Sequence, residues 1–155
     1  GTWQADFNLP GRFDSTYVGE DGAKHTPVLL HRAALGSFER FIGILLENYG
    51  GNLPLWLSPT QVVLATITDE AKAYADDIEK QLLDLGVRVI SDKRNEQISY
   101  KVREHSKSKS SIILALGKKE VDDETVSVRR LGSEKTEVKK LDVFVKSLVE
   151  EIQIP

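Results

Sequence analysis

Residues 61–67, Gln-Val-Val-Leu-Ala-Thr-Ile, restrict the fold of this chain more than any other segment. An unbroken apolar run rich in β-branched side chains and bounded by turn signals fits a strand covered on both faces. A half-exposed strand would alternate in polarity instead. Thr68 then offers a hydroxyl as a helix cap, and Asp69 and Glu70 complement the positive end of a helix dipole. Tyr74, Ile78, Leu82 and Leu85 recur on one helical face until Gly86, and Val87 to Ser91 reads as a second strand. Residues 61–91 therefore predict a βαβ unit with a right-handed crossover. Further along, the pattern predicts a short basic helix from Ile98 to about Lys107 and strands from Ser111 to Leu116 and from Thr125 to Leu131. A closing helix from Leu141 to Ile152 turns Leu141, Val145, Leu148 and Ile152 inward. The expected fold class is α/β, with a mixed, roughly five-stranded sheet and three helices.

The stretch before this unit has a different character. Thr2 to Asp6 and Pro27 to His31 read as short strands separated by turns, and Ser37 to Tyr49 reads as a helix ended by Gly50 and Gly51. Phe38, Phe41, Ile42, Leu45 and Leu46 give that helix one broad apolar face. Two prolines and a polar turn between Leu53 and Pro59 place the expected domain boundary between residues 57 and 58.

Composition limits the function classes. Zero cysteines exclude disulfides and thiolate metal ligands, leaving His25, His31 and His105 as nitrogen ligands. No apolar run approaches the roughly 20 residues a membrane helix needs, so a soluble chain with no membrane partner is expected. The absence of methionine, even at position 1, is expected of a chain that begins inside a longer protein. The net charge of −3 gives no general attraction to nucleic acid. Its distribution says more: residues 88–130 carry 11 Lys/Arg against 7 Asp/Glu, or +4, leaving −7 for the rest. A basic segment on an acidic chain is a possible footprint for phosphate.

Isolated chemical signals are weak. Asp122, Asp123 and Glu124 read as a solvated turn before they read as metal ligands, and His31, at the end of an apolar strand, reads first as a hydrogen-bonded structural residue. The Gly36-Ser37 step is an ordinary helix entry. No Ser/His/Asp arrangement, P-loop or dinucleotide fingerprint is present.

Longer motifs carry a resemblance. Gly1-Thr2-x-Gln4-x-Asp6-Phe7, Leu9-Pro10-x-Arg12-Phe13-Asp14 and Tyr17-Val18-Gly19-Glu20-Asp21 precede the run His31-Arg32-Ala33-x-Leu35-Gly36-Ser37-x-Glu39-Arg40-Phe41-Ile42-Gly43-Ile44-Leu45. Together they resemble the end of the catalytic domain of the threonyl-tRNA synthetase family, the last run being similar to class II motif 3. Pro54-x-Trp56-Leu57-x-Pro59-x-Gln61-Val62 is similar to that family's hinge. Asp92-x-Arg94-Asn95-Glu96-x-Ile98-x-x-Lys101-x-Arg103-Glu104-His105 resembles the hallmark of its anticodon-binding domain. The resemblance implies a C-terminal piece of a synthetase. Residues 1–57 would be the last strands and motif 3 helix of a class II antiparallel-sheet catalytic domain, and residues 58–155 an anticodon-binding domain.

The family implies roles for individual positions. His31 corresponds to one of three zinc ligands on a Zn2+ that reads threonine, and Arg40 to the motif 3 arginine that contacts ATP, used with Mg2+. Gln4 corresponds to a glutamine near the threonine amino group, with Ser37 in the same pocket wall. Asn95, Arg103, Glu120 and Arg129 correspond to residues that read anticodon bases, work for which amides, guanidinium forks and carboxylates are suited. The implied parent is a cytoplasmic, homodimeric ligase that joins threonine to its tRNA. The implied partners are threonine tRNA through its anticodon loop, threonine and ATP. The remaining zinc ligands and the α-phosphate arginine fall outside this sequence, so this piece alone is expected to be inactive and to hold no cofactor tightly. The other reading is a tRNA-binding module without catalysis.

Overall fold

The computed structural model describes residues 1–133 and 135–153. It divides into two compact units, residues 1–45 and 46–155.

In the first unit, strand β1 (Thr2–Asp6) pairs antiparallel with β4 (Leu29–Ala33), and the short strands β2 (Tyr17–Val18) and β3 (Lys24–His25) pair with each other. A one-turn helix α1 (Leu9–Arg12) lies between β1 and β2. Two-stranded pairs bury little on their own, and in residues 1–45 Pro10 alone is buried. Trp3, Phe7, Phe13 and Phe38 are each more than 70% exposed. The helix read from the Phe38 periodicity is present as α2 (Phe38–Asn48), but its apolar face encloses no core. Its entry is fixed by Ser37, whose Oγ accepts the Arg40 backbone N–H at 3.3 Å.

The second unit is a five-stranded sheet. Strand β5 (Val62–Thr66) lies between parallel neighbours β6 (Val89–Asp92) and β7 (Ile112–Leu116), and β8 (Thr125–Arg130) and β9 (Thr136–Lys140) continue antiparallel from β7. Every residue of β5 is buried, as its continuous apolar run requires. Helix α3 (Ala71–Asp84) packs Ala71, Ala75, Ile78 and Leu82 on one face of the sheet, and α6 (Leu141–Glu151) adds Phe144, Val145 and Leu148 to the same core. Residues of alternate parity along the strands form the opposite face. There Val63, Ala65 and Ile113 meet Ile98 and Val102 of α4 (Ile98–Lys107).

Three local readings change. Thr68 does not cap α3 with its hydroxyl: the helix enters through Glu70 with no side-chain cap, and the Thr68 carbonyl accepts the Ala71 N–H. Leu85 lies past the end of α3 and is 44% exposed. The acids at 122 and 123 end a short helix α5 (Lys118–Asp123), after which Glu124 takes a left-handed conformation. That helix makes four α-helices after residue 57 among the described residues, where three were expected. The segment after Pro54 is also packed rather than loose. Leu55 enters the core, Gln61 Nε2 donates to the Leu55 carbonyl at 2.9 Å, and Arg88 donates to the carbonyls of Ser58 and Trp56 at 2.8 Å each.

Candidate nucleic-acid interface

The two faces of the sheet are covered unequally. Val126 and Val128 point into the core under α3 and α6, so Thr125, Ser127 and Arg129 point to the face that carries α4. The apolar contacts of helix α4 are with β5 and β7. The β8 and β9 part of this face stays open: Ser127 is opposite Val138 and Arg129 is opposite Thr136, with Val138 62% exposed. Between α4 and β8 runs an open groove of about 530 Å³ lined by Ser99, Val102, Arg103, Ser106, Lys107, Lys109 and Arg129.

The lining holds four cations and no carboxylate. Among the described residues, Arg103, Lys107 and Arg129 make no side-chain hydrogen bond or ion pair. Lys109 touches Asn52 Oδ1 at 3.3 Å. Unspent guanidinium donors beside hydroxyls and a short apolar strip suit phosphates and unstacked bases.

On the same side of the sheet, between α4 and the ends of β5 and β6, lies a buried charge cluster. The Asp92 carboxylate, 3% exposed at the end of β6, accepts four hydrogen bonds. Arg94 gives Nε at 2.9 Å, Nη2 at 2.7 Å and its backbone N–H at 3.2 Å, and His105 Nε2 lies at 2.8 Å. The Arg94 fork, and after it His105, hold this carboxyl far below the usual range for a carboxylate, against the opposing effect of burial. Lys101 is fully buried, its Nζ donating to the carbonyls of Thr66 at 2.8 Å and Asp92 at 3.1 Å. Burial pushes the Lys101 amine down, and the neighbouring Asp92 opposes that shift. One ammonium on α4 thereby ties together the carboxyl ends of β5 and β6.

The four residues expected to read bases fall into different settings. Arg103 and Arg129 line the same groove, one from α4 and one from β8. Asn95 is exposed in the turn between β6 and α4 and does not line the groove. Glu120 is half-buried and already engaged: Oε2 accepts the Gly117 N–H at 3.0 Å, reaching back from the third residue of α5 to its N-cap, and Oε1 accepts Ser127 Oγ–H at 2.8 Å. A Cβ on Gly117 would come within 3.2 Å of Glu120 Oε2 and 3.3 Å of Ile67, so close approach explains glycine here. Through Ser127, Glu120 is anchored to the same open face as Arg129. A carboxylate has about four lone-pair sites, so two hydrogen bonds leave capacity for a base.

Sequence reasoning did not single out Lys107, Lys109, Ser99 or Ser106 as groove residues, although both lysines fall inside the basic segment. It also counted Arg88, Arg94, Lys101 and Arg130 toward the cationic footprint. All four are spent internally, Arg130 as a bidentate pair with Glu151 at 2.8 and 2.7 Å.

The candidates in the first unit are partly gathered. Gln4 and His31 are register partners across β1 and β4, both exposed, and in an antiparallel pair they share a face. Ser37 spends its hydroxyl on capping α2, and Arg40 is exposed in the first turn of that helix. For zinc the donor set is inadequate. The chain has no cysteine, the residue opposite His31 is Gln4, and the described residues contain no group of three or more His, Cys, Asp or Glu able to hold a metal.

Residues 61–153, which include the sheet, the groove and the buried cluster, match the anticodon binding domain family. The chain belongs to that family. Along its whole length it is 56% identical to the threonine–tRNA ligase of Dinoroseobacter shibae and 55% identical to that of Parvibaculum lavamentivorans, spanning 24% of each. The solved RNA binding domain of threonyl-tRNA synthetase from Cryptosporidium parvum superposes with a TM-score of 0.73 at 33% identity, over 96% of this chain and 38% of that one. Prolyl-tRNA synthetase from the same organism, at 22% identity and a TM-score of 0.64 over 94% of this chain and 32% of that one, shares the fold. The anticodon-binding domain and its mixed sheet are thus as the sequence motifs implied. No helix among the described residues is long and apolar enough to cross a membrane.

Proposed function

We propose that the open face of the anticodon-binding domain, from the α4 groove across β8 and β9, binds the anticodon loop of threonine tRNA. On this reading the chain is part of a ligase that activates threonine with ATP and transfers it to that tRNA. The observation that carries the proposal is the presence of both Arg103 and Arg129 in a carboxylate-free groove while most other cations of the segment are consumed internally. Their forks suit bidentate base contacts, Asn95 adds an amide and Glu120 an acceptor, while Lys107 and Lys109 attract phosphate.

The division into a catalytic-type part, residues 1–57, and a base-reading part, residues 58–155, belongs to the same proposal. It is supported by a family match that begins at residue 61. In the parent ligase Arg40 would contact ATP, and Gln4 and Ser37 would face threonine. His31 is proposed as one ligand of a zinc site whose other ligands this chain does not supply. Similarity that includes residues 1–57 at 55–56% identity favours the ligase over a binding module without catalysis. A cytoplasmic location follows from translation as the proposed process.

Arg103→Ala is expected to weaken binding to threonine tRNA by roughly 1–3 kcal/mol and to blunt discrimination against a tRNA with an exchanged anticodon. Titrations at two salt concentrations check this. Equal weakening toward every tRNA, with a shallower salt dependence, would reduce Arg103 to a phosphate contact.

A further inference from the structure

Arg94 lies in the basic segment, next to Asn95 and half-exposed, where a phosphate contact would be the simple expectation. Its hydrogen bonds contradict that expectation. The guanidinium makes a two-pronged contact with Asp92 at 2.9 and 2.7 Å and a further one with Glu104 Oε2 at 3.1 Å, while the backbone N–H returns to Asp92 Oδ1 at 3.2 Å. One residue therefore closes the start of the turn at residues 93–97 and pins it to both β6 and α4. The carboxylate that receives it is itself fixed by His105 Nε2 and sits 3.9 Å from Lys101 Nζ. A fork bound to two carboxylates has little positive charge left to offer a phosphate. Asn95 follows directly, exposed and with no side-chain hydrogen bond among the described residues, so the backbone that Arg94 holds is what places it.

We infer that Arg94 is a positioning residue: clamped between Asp92 and Glu104, it aims the Asn95 amide at an RNA base and does not itself bind RNA. This rests on the anticodon-reading proposal above. The geometry requires a planar fork, which lysine cannot reproduce although it keeps the charge. Arg94→Lys should therefore be nearly as defective as Arg94→Gln. A phosphate contact would make the lysine variant nearly normal.

The test uses the full chain with threonine tRNA and an anticodon-exchanged control, titrated at several salt concentrations. Wild type, Arg94→Lys, Arg94→Gln, Asn95→Ala and the double variant of Arg94→Gln with Asn95→Ala are compared. The side chain of Arg94 is 48% exposed, so both single substitutions there should fold, and thermal melting verifies this. The expected result is a loss of about tenfold in discrimination for both Arg94 variants. The salt slope should be unchanged, and Arg94→Gln should have no further effect once Asn95 is alanine. Wild-type discrimination retained in Arg94→Lys, with a salt slope lower by about one in Arg94→Gln, would overturn the inference and leave the proposed function standing. So would an Arg94→Gln effect that persists in full without Asn95. A wild type that does not discriminate would overturn both.

Discussion

Replacing Lys101 with alanine is expected to destabilise the anticodon-binding domain by roughly 3–5 kcal/mol, the range for breaking a buried ionic pair or emptying a large core site. Lysine rarely occupies a fully buried position, and here its ammonium donates to the Thr66 and Asp92 carbonyls and forms an ion pair with the Asp92 carboxylate at 3.9 Å. Alanine would leave a cavity and remove the donor shared by the two carbonyls. Lys101→Met restores volume without the donor and should fall between wild type and alanine. Urea melts at neutral pH measure both. A methionine variant as stable as wild type would mean that packing alone holds α4 on β5 and β6.

Asp92→Asn should cost a similar 3–5 kcal/mol at pH 7, because it strands Lys101 and sets an amide against donors from Arg94 and His105. The effect should depend on pH in a defined direction. The folded state holds this carboxyl below its ordinary value of 3.8. Its contribution is therefore complete above that value and is lost as pH falls beneath it. Wild type and Asp92→Asn should differ most at neutral pH and converge in acid. Melts at pH 7 and pH 3 read the difference, and a constant gap between the two curves would contradict the role given to this carboxylate.

Much of the fold was legible because burial imposed a pattern. β5 is apolar but for Thr66 since α4 covers one side and α3 the other, and α3 shows its buried face at helical spacing. β9 left no such mark. Thr-Glu-Val-Lys-Lys is an edge strand with an open face, so nothing forces its residues to be apolar. Helix α5 was hidden for a related reason, being short and held at its start by the Gly117 N–H bonded to the Glu120 carboxylate rather than marked by an apolar face. The family motif marked the site residues by position but did not separate those that read RNA from those that build the surface. A helical reading of Ile98, Lys101, Val102 and His105, at i, i+3, i+4 and i+7, puts Lys101 and His105 on the inward face of α4. The acceptors that make an inward lysine tolerable come from β5 and β6, 35 and 9 residues earlier in the chain, and no local pattern shows them.

On the proposed function, RNA binds on the α4 groove and the open strands β8 and β9. Amide chemical-shift mapping of the labelled chain, titrated with an anticodon stem-loop of threonine tRNA, tests it most directly. The predicted result is a contiguous set of perturbations in the turn at Asn95, along Ser99 to Lys109, and at Ser127, Arg129, Thr136 and Val138, weaker and narrower with an exchanged anticodon. Perturbations centred on the outer surfaces of α3 and α6, or identical maps for the two stem-loops, would contradict it.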